Sequence, residues 1–137
     1  MAKKKKAIAR VLLAVLMMGI GAAHFANPRS FLQIMPGFIP TSLHLPLVQV
    51  SGAFEILGGA GILVPKVRAL AGWGLVALYL AVFPANINMA VNRLPMGDAV
   101  WPVWALWARL PLQLVLIAWA YWVSRPDAPD ARVSANP

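Results

Sequence analysis

The sequence contains no cysteine at any of its 137 positions. Disulfide bonds, thiolate nucleophiles, iron–sulfur clusters and a dithiol relay within this chain are therefore excluded. The absence says nothing about compartment, because a helix bundle in a membrane needs no disulfide.

Acidic residues are almost as scarce, with 4 Asp and Glu against 12 Lys and Arg. Asp98, Asp127 and Asp130 lie in loop or tail sequence, whereas Glu55 lies at the midpoint of the apolar run 47–64. A carboxyl group at bilayer depth is costly and is tolerated where it faces protein, water or a partner charge. Glu55 is therefore the first candidate for a functional site.

Charged residues of both signs make up only 12% of the chain, while hydrophobic residues make up 61% and the mean hydropathy is +0.72. A soluble domain of this length could not bury so much apolar surface, so we expect the lipid bilayer to be the solvent. The net charge of +8 would point to nucleic acid in a soluble protein. Here the basic residues cluster at the ends of apolar segments, so we expect no nucleic-acid partner.

Four segments have the roughly 20 apolar residues that a membrane-spanning helix needs. They predict an all-α, integral membrane four-helix bundle that forms one domain over residues 1–125. The polar, proline-rich residues 126–137 are expected to be a disordered cytoplasmic tail. The predicted spans are residues 8–25, 45–64, 69–89 and 101–123.

The distribution of Lys and Arg predicts the orientation of these spans. With the N-terminus inside, the outer loops keep only Arg29 and Arg93. This bias predicts a multi-pass protein of the bacterial inner membrane with both termini in the cytoplasm. The alternative for the first segment is a cleavable signal peptide. The lysine run is either a topology anchor or a binding site for anionic lipid. The basic residues on the cytoplasmic side would be Lys3, Lys4, Lys5, Lys6, Arg10, Lys66, Arg68, Arg125 and Arg132.

The loop between spans one and two, residues 26–44, is long and amphipathic. We expect part of it to form a short helix between prolines that lies in the membrane interface. In that position it would cover the outer mouth of the bundle.

Polar residues within the spans converge on one depth. At about 1.5 Å per residue, Glu55 and Arg109 lie at nearly the same distance from the outer surface, so we expect an ion pair between them. Small residues flank Glu55 and favour close helix packing on its face. The candidates for ligand binding or proton handling are Glu55, Arg109, His24, Asn86, Tyr79, Gln113 and Ser51.

Each of these residues also has a structural interpretation. Glu55 and Arg109 could form an ion pair that only fixes helix register. His24 could be an interfacial hydrogen-bonding group, and Asn86 could repair a kink at Pro84. Ligation of haem or copper by His24 and His44 is conceivable, but no spacing requires it, so we expect no metal. No catalytic residue can be named from these patterns.

Five ordered motifs resemble the DoxX family of small bacterial membrane proteins. The similarity runs over residues 8–123 and places the motif residues His24, Glu55, Asn86 and Arg109 where the membrane argument places them. The motifs are GAAHFANP (21–28), MPGFIP (35–40), SGAFEILGGAGIL (51–63), VFPANINMA (82–90) and LWARLPLQ (106–113).

The resemblance implies an accessory subunit of a quinone-linked membrane redox complex, with quinone as a possible ligand and a protein partner in the membrane. Whether the chain is itself an enzyme stays open. Two alternatives remain: a non-catalytic scaffold or assembly factor, and a binder or carrier of a small hydrophobic or anionic molecule.

Overall fold

A computed structural model describes residues 1–129 of the chain, and these residues form helices and no strand. The predicted all-α class is confirmed over this part of the chain. Most of the predicted disordered tail, residues 130–137, lies outside the described residues. The helices are α1 (Ala2–Ala26), α2 (Pro28–Leu32), α3 (Thr41–Leu63), α4 (Arg68–Asn92) and α5 (Val103–Ser124).

The four longer helices are long and apolar enough to cross a membrane, and they match the four predicted spans in number and order. Their bounds differ from the predicted ones where polar residues extend a helix. Helix α1 starts at Ala2 and includes the lysine run, because lysine is a good helix former. Helix α4 continues to Asn92 and ends where Arg93 adopts a left-handed conformation with φ 51°.

The four long helices are arranged in a ring in the order α1, α3, α4, α5. Each is antiparallel to its neighbours, as the short connection at residues 64–67 requires for α3 and α4. Helices α3 and α5 face each other across a diagonal and do not pack along their length. We call the end where α1 begins and α5 ends the terminal end, and the opposite end, which carries α2, the α2 end.

Glycines bring α1 and α3 into close contact. A Cβ atom at Gly21 would lie 2.6 Å from the carbonyl oxygen of Gly52, and one at Gly59 would lie 3.0 Å from the carbonyl oxygen of Ala14. Gly58 instead faces Leu75 of α4. The small residues of α3 therefore pack closely against two neighbouring helices, α1 and α4, as expected for helices in a membrane.

Two groups of buried apolar side chains fill the bundle, one toward each end. The group at the terminal end comprises Leu13, Met17, Ile62, Leu75, Tyr79, Ala120 and Val123. The group at the α2 end comprises Ile34, Met89, Ala90 and Leu106.

Basic side chains of α1 hold the chain that follows α5. Arg10 is 6% exposed, and its Nε donates a hydrogen bond to the carbonyl oxygen of Val123 at 2.8 Å. Its Nη2 lies 2.8 Å from Oδ1 of Asp127, and the Lys6 amino group donates to the carbonyl oxygens of Arg125 and Pro126. Residues 125–127, which include the first two of the predicted disordered tail, therefore pack against α1.

Candidate binding cavity

A cavity of about 360 Å³ lies between the two apolar groups and borders both. This volume is at the lower end of the roughly 300–1,000 Å³ that is typical of small-molecule sites. Most of its walls are apolar, with contributions from Met17, Ile34, Leu47, Val82 and Leu116. The seven polar residues selected from the sequence all line it, namely His24, Ser51, Glu55, Tyr79, Asn86, Arg109 and Gln113.

Glu55 enters the cavity from the face of α3 that packs on α1. It lies three residues after Gly52 and four before Gly59, so all three share that face. The residue is 7% exposed, and its Oε2 lies 3.2 Å from Nδ1 of His24.

The His24 ring nitrogen that faces Glu55 has a second neighbour. Nδ1 lies 2.9 Å from the carbonyl oxygen of Ile20, one turn earlier in α1. One N–H group cannot point fully at both oxygens, and Oε2 of Glu55 has no hydrogen-bond partner among the described residues. The carboxyl group therefore retains an unused hydrogen-bonding position at the cavity wall.

The predicted ion pair between Glu55 and Arg109 is wrong. Among residues 1–129, no salt bridge joins the two, and the basic partner of Glu55 is His24. The reason is the ring order of the helices, because α3 and α5 stand on a diagonal. The two residues line one cavity, but Glu55 lies fourteen residues into α3 and Arg109 six residues into α5, so they also lie at different distances from the α2 end.

Arg109 is surrounded by neutral groups. Its Nη1 lies 2.9 Å from the sulfur of Met89 and 3.6 Å from that of Met96. Its Nη2 donates to Oδ1 of Asn86 at 3.3 Å, and the guanidinium carbon lies 5.5 Å from the centre of the Trp101 ring. Thioether sulfur is a weak acceptor, so the cation has only weak partners here.

Two side-chain amides, one on α4 and one on α5, connect Arg109 to the backbone of α4 through hydrogen bonds. Asn86 accepts from Arg109 and donates through Nδ2 to Oε1 of Gln113. Gln113 donates through Nε2 to the backbone carbonyl of Tyr79 at 2.6 Å. Pro84 has no amide hydrogen to bond the carbonyl one turn earlier, so helix α4 has a weakened turn here. Asn86 therefore both borders the cavity and belongs to the amide network that joins α4 to α5 beside this turn.

The two remaining candidates from the sequence, Tyr79 and Ser51, also lie at the cavity wall. The Tyr79 hydroxyl donates to the sulfur of Met17, which joins α4 to α1 at the cavity wall nearest the terminal end. Ser51 lines the cavity one turn before Glu55 on α3 and is partly buried.

The segment after α1 borders the cavity at the α2 end. Phe31 of α2 stacks on His24 with ring centres 3.6 Å apart and an interplanar angle of 18°. Asn88 of α4 donates to the carbonyl oxygens of Ile34 and Met35, which fastens the segment to α4. The sequence reasoning did not select Phe31 or Asn88 as site residues. The available signal was their position, since Asn88 lies within the motif that contains Asn86 and Phe31 follows the motif that contains His24 by three residues.

His44 does not line this cavity, and its Nε2 lies 2.8 Å from the carbonyl oxygen of Ile39. Within residues 1–129, no group of three or more His, Asp or Glu side chains is arranged to hold a metal ion. The groups that the cavity offers to a ligand are therefore a guanidinium, a carboxyl group with an imidazole, amides and the hydroxyl groups of Ser51 and Tyr79. These can bind and orient polar atoms and can exchange protons.

The fold and the cavity define a helical bundle with four helices able to span a membrane and an internal site built from polar residues. The chain belongs to the family described as a domain of unknown function, DUF8561, whose model matches residues 13–124. The predicted membership of the DoxX family is therefore wrong. The quoted motifs are rich in glycine, alanine and proline beside a few polar residues, and helix packing in membranes favours small residues and such polar groups in general. No curated protein and no solved structure matches the chain.

Proposed function

We propose that this protein binds a small, largely apolar molecule with a polar end in the cavity between its helices. The observation that supports this most strongly is the convergence of seven polar residues, from four different helices, on one apolar cavity. An apolar pocket with a few convergent polar groups is the usual form of a small-molecule site.

The unused bonding capacity of the polar groups supports the same proposal. The Oε2 atom of Glu55 has no hydrogen-bond partner among the described residues, and Arg109 meets only neutral groups. Polar groups inside a membrane bundle are costly unless they are satisfied. A ligand that offers a donor to Glu55 and an acceptor to Arg109 would satisfy both.

We infer that the helices cross a bacterial inner membrane with both chain termini in the cytoplasm and the α2 end outside. The clustering of basic residues at the terminal end supports this orientation. The segment from α2 to Pro40 would then lie at the outer membrane surface, where an apolar ligand could enter.

Single cysteines introduced into this cysteine-free chain test the orientation. At Ser42 and Asp98 they should react with a membrane-impermeant reagent added from outside, and at Lys66 and Ala128 they should not. All four positions are exposed. The opposite labelling pattern would reverse the proposed orientation.

Quinone remains one candidate ligand of the same cavity. A quinone ring is apolar and carries two carbonyl oxygens, which could accept hydrogen bonds from Arg109 on one wall and from His24 on the other. A role as accessory subunit of a redox complex came from the family resemblance, so its remaining support is this cavity. Copurification of quinone with the protein would favour that role.

The binding function is tested by filling the cavity. Val82 lines the cavity, whereas Leu80 on the same helix is 59% exposed and points away from it. In lipid nanodiscs, a panel of small apolar compounds, including a short-chain quinone, should raise the unfolding temperature of the wild type and of Leu80→Trp. A ligand at about 100 times its Kd stabilises by about 2.7 kcal/mol. Val82→Trp should abolish this effect. Equal responses of the two variants would refute the cavity as the binding site.

A further inference from the structure

Arg109 is a cation without an anion. Among residues 1–129, no carboxyl group forms a salt bridge with Arg109: Glu55 lies beside His24, Asp98 pairs with Arg29, and Asp127 pairs with Lys6 and Arg10. Arginine stays charged at any physiological pH. Its guanidinium thus lies at the wall of an apolar cavity with two thioethers, one amide oxygen and an indole ring as neighbours.

The surroundings hold the guanidinium in place without neutralising it. Met89 is 1% exposed, so it is a fixed part of the buried core. The amide of Asn86 is itself oriented by Gln113, which is anchored on the Tyr79 backbone. A cationic group that is held in position beside an apolar cavity is suited to bind an anionic group, and the planar guanidinium fits a carboxylate or phosphate with two parallel hydrogen bonds.

Arg109 determines where in the cavity an anion can bind. Among the described residues that line the cavity it is the only lysine or arginine, and Glu55 lies on α3, which does not pack along α5. The polar end of a ligand is therefore directed to Arg109.

We propose that the molecule bound in this cavity carries an oxyanion that pairs with Arg109 and an apolar body that fills the rest of the space. This inference rests on the proposed binding function. The oxyanion has two possible sources, the carboxylate of a free single-chain amphiphile and the phosphate of a membrane lipid, and both offer the same group to the guanidinium.

The experiment compares decanoate with decanamide, which share a chain and differ in the charge of the head group. Binding is measured by calorimetry at neutral pH with the full chain in nanodiscs of zwitterionic lipid. Wild-type protein should bind decanoate at least about tenfold more tightly than decanamide, a ratio well within what one charge-assisted pair supplies. Arg109→Gln should lose this preference and keep its affinity for decanamide. Arg29→Gln, which removes an exposed charge at the same end of the bundle, should keep the preference.

A second arm identifies the source of the oxyanion. If a lipid phosphate is the natural group, nanodiscs that contain phosphatidylglycerol should raise the unfolding temperature of the wild type but not that of Arg109→Gln. Decanoate should then compete with the lipid for the site. If phosphatidylglycerol does not change the unfolding temperature, and the preference for decanoate over decanamide still requires Arg109, the natural ligand is a free amphiphile.

Equal affinity of the wild type for acid and amide, with no response to phosphatidylglycerol, would overturn the oxyanion proposal and leave the binding function intact. That comparison uses wild-type protein, so it decides even if Arg109→Gln does not fold. Absence of binding by either compound, together with no effect of any panel compound on the wild type, would remove the binding function itself.

Discussion

Gly21 and Gly52 mark a close approach of α1 and α3, since a Cβ atom added to Gly21 would lie 2.6 Å from the carbonyl oxygen of Gly52. His24 follows Gly21 by three residues, and Glu55 follows Gly52 by three. Residues three apart share a helix face, and helical side chains lean toward the N-terminal end of their helix. The imidazole and the carboxyl group therefore lean back toward this crossing and meet across the two antiparallel helices.

Substitution of Gly21 by alanine should therefore destabilise the bundle. The added methyl group would meet backbone and the Ile56 side chain, and overpacking of this kind costs about 1–3 kcal/mol. The measurement is the unfolding temperature in detergent. Gly19→Ala is the matched control, because nothing lies within 4 Å of its added Cβ, and it should be neutral or stabilising. If both variants behave alike, the close crossing is not present in solution.

Replacement of Gln113 by leucine should disrupt the amide chain between α4 and α5. The change leaves the Nδ2 of Asn86 and the Tyr79 carbonyl oxygen without this partner, and an unsatisfied buried polar group costs about 1–3 kcal/mol. Gln49→Leu is the control, since Gln49 is exposed on α3. The free energy of unfolding should fall for Gln113→Leu alone. An equal loss in both variants would mean that the amide chain adds nothing to stability.

The contact of Asp127 with Arg10 should make stability depend on pH. The hydrogen bonds from Arg10 hold the pKa of the Asp127 carboxyl below its ordinary value. A depressed pKa stabilises the folded state above the unfolded-state pKa of about 3.9, and this contribution is lost as pH falls through the folded-state pKa.

Unfolding temperatures of the wild type and Asp127→Asn should accordingly differ at pH 7 and converge as the pH is lowered below about 4. Asp98→Asn removes an exposed carboxylate whose arginine partner is 3.9 Å away, and it should show no comparable convergence. If the difference in unfolding temperature between the wild type and Asp127→Asn stays constant down to low pH, this account of the contact is contradicted.

Replacement of Arg10 should lower the free energy of unfolding more than replacement of an exposed arginine does. Arg10→Met leaves the carbonyl oxygen of Val123 without its donor and Asp127 without its main partner, so we expect a loss of about 1–3 kcal/mol. Arg29→Met, at a side chain that is 71% exposed, should change stability little. In a double-mutant cycle, Arg10→Met and Asp127→Asn should be non-additive. Full additivity would show that the two side chains do not interact.

The sequence was sufficient to predict the number of long helices, because each apolar run is long enough to span a bilayer and is bounded by polar or proline-containing segments. It also predicted one depth for Glu55 and Arg109 by counting residues along each span. Helix α3 begins four residues before its predicted span and α5 two residues after, so Glu55 lies deeper than Arg109. Both residues nevertheless line one cavity.

The choice of partner could not be predicted from depth. It depends on which helices are neighbours, and hydropathy is the same for every order of the ring. The paired spacing of Gly21 with His24 and of Gly52 with Glu55 was the missing clue, since glycines at a crossing indicate which faces meet. The role of Arg10 was also hidden, because its acceptors include backbone carbonyls that any sequence would supply.

The contacts of Arg10 also have a consequence for biosynthesis. The carbonyl oxygen that Arg10 bonds belongs to a residue 113 positions later in the chain, and its carboxylate partner lies 117 positions later. Because the protein is made from its N-terminus, α1 is complete long before either partner of Arg10 exists. Arg10 therefore gains these contacts only after α5 has been synthesised, so closure of the ring between α1 and α5 is a late step of folding.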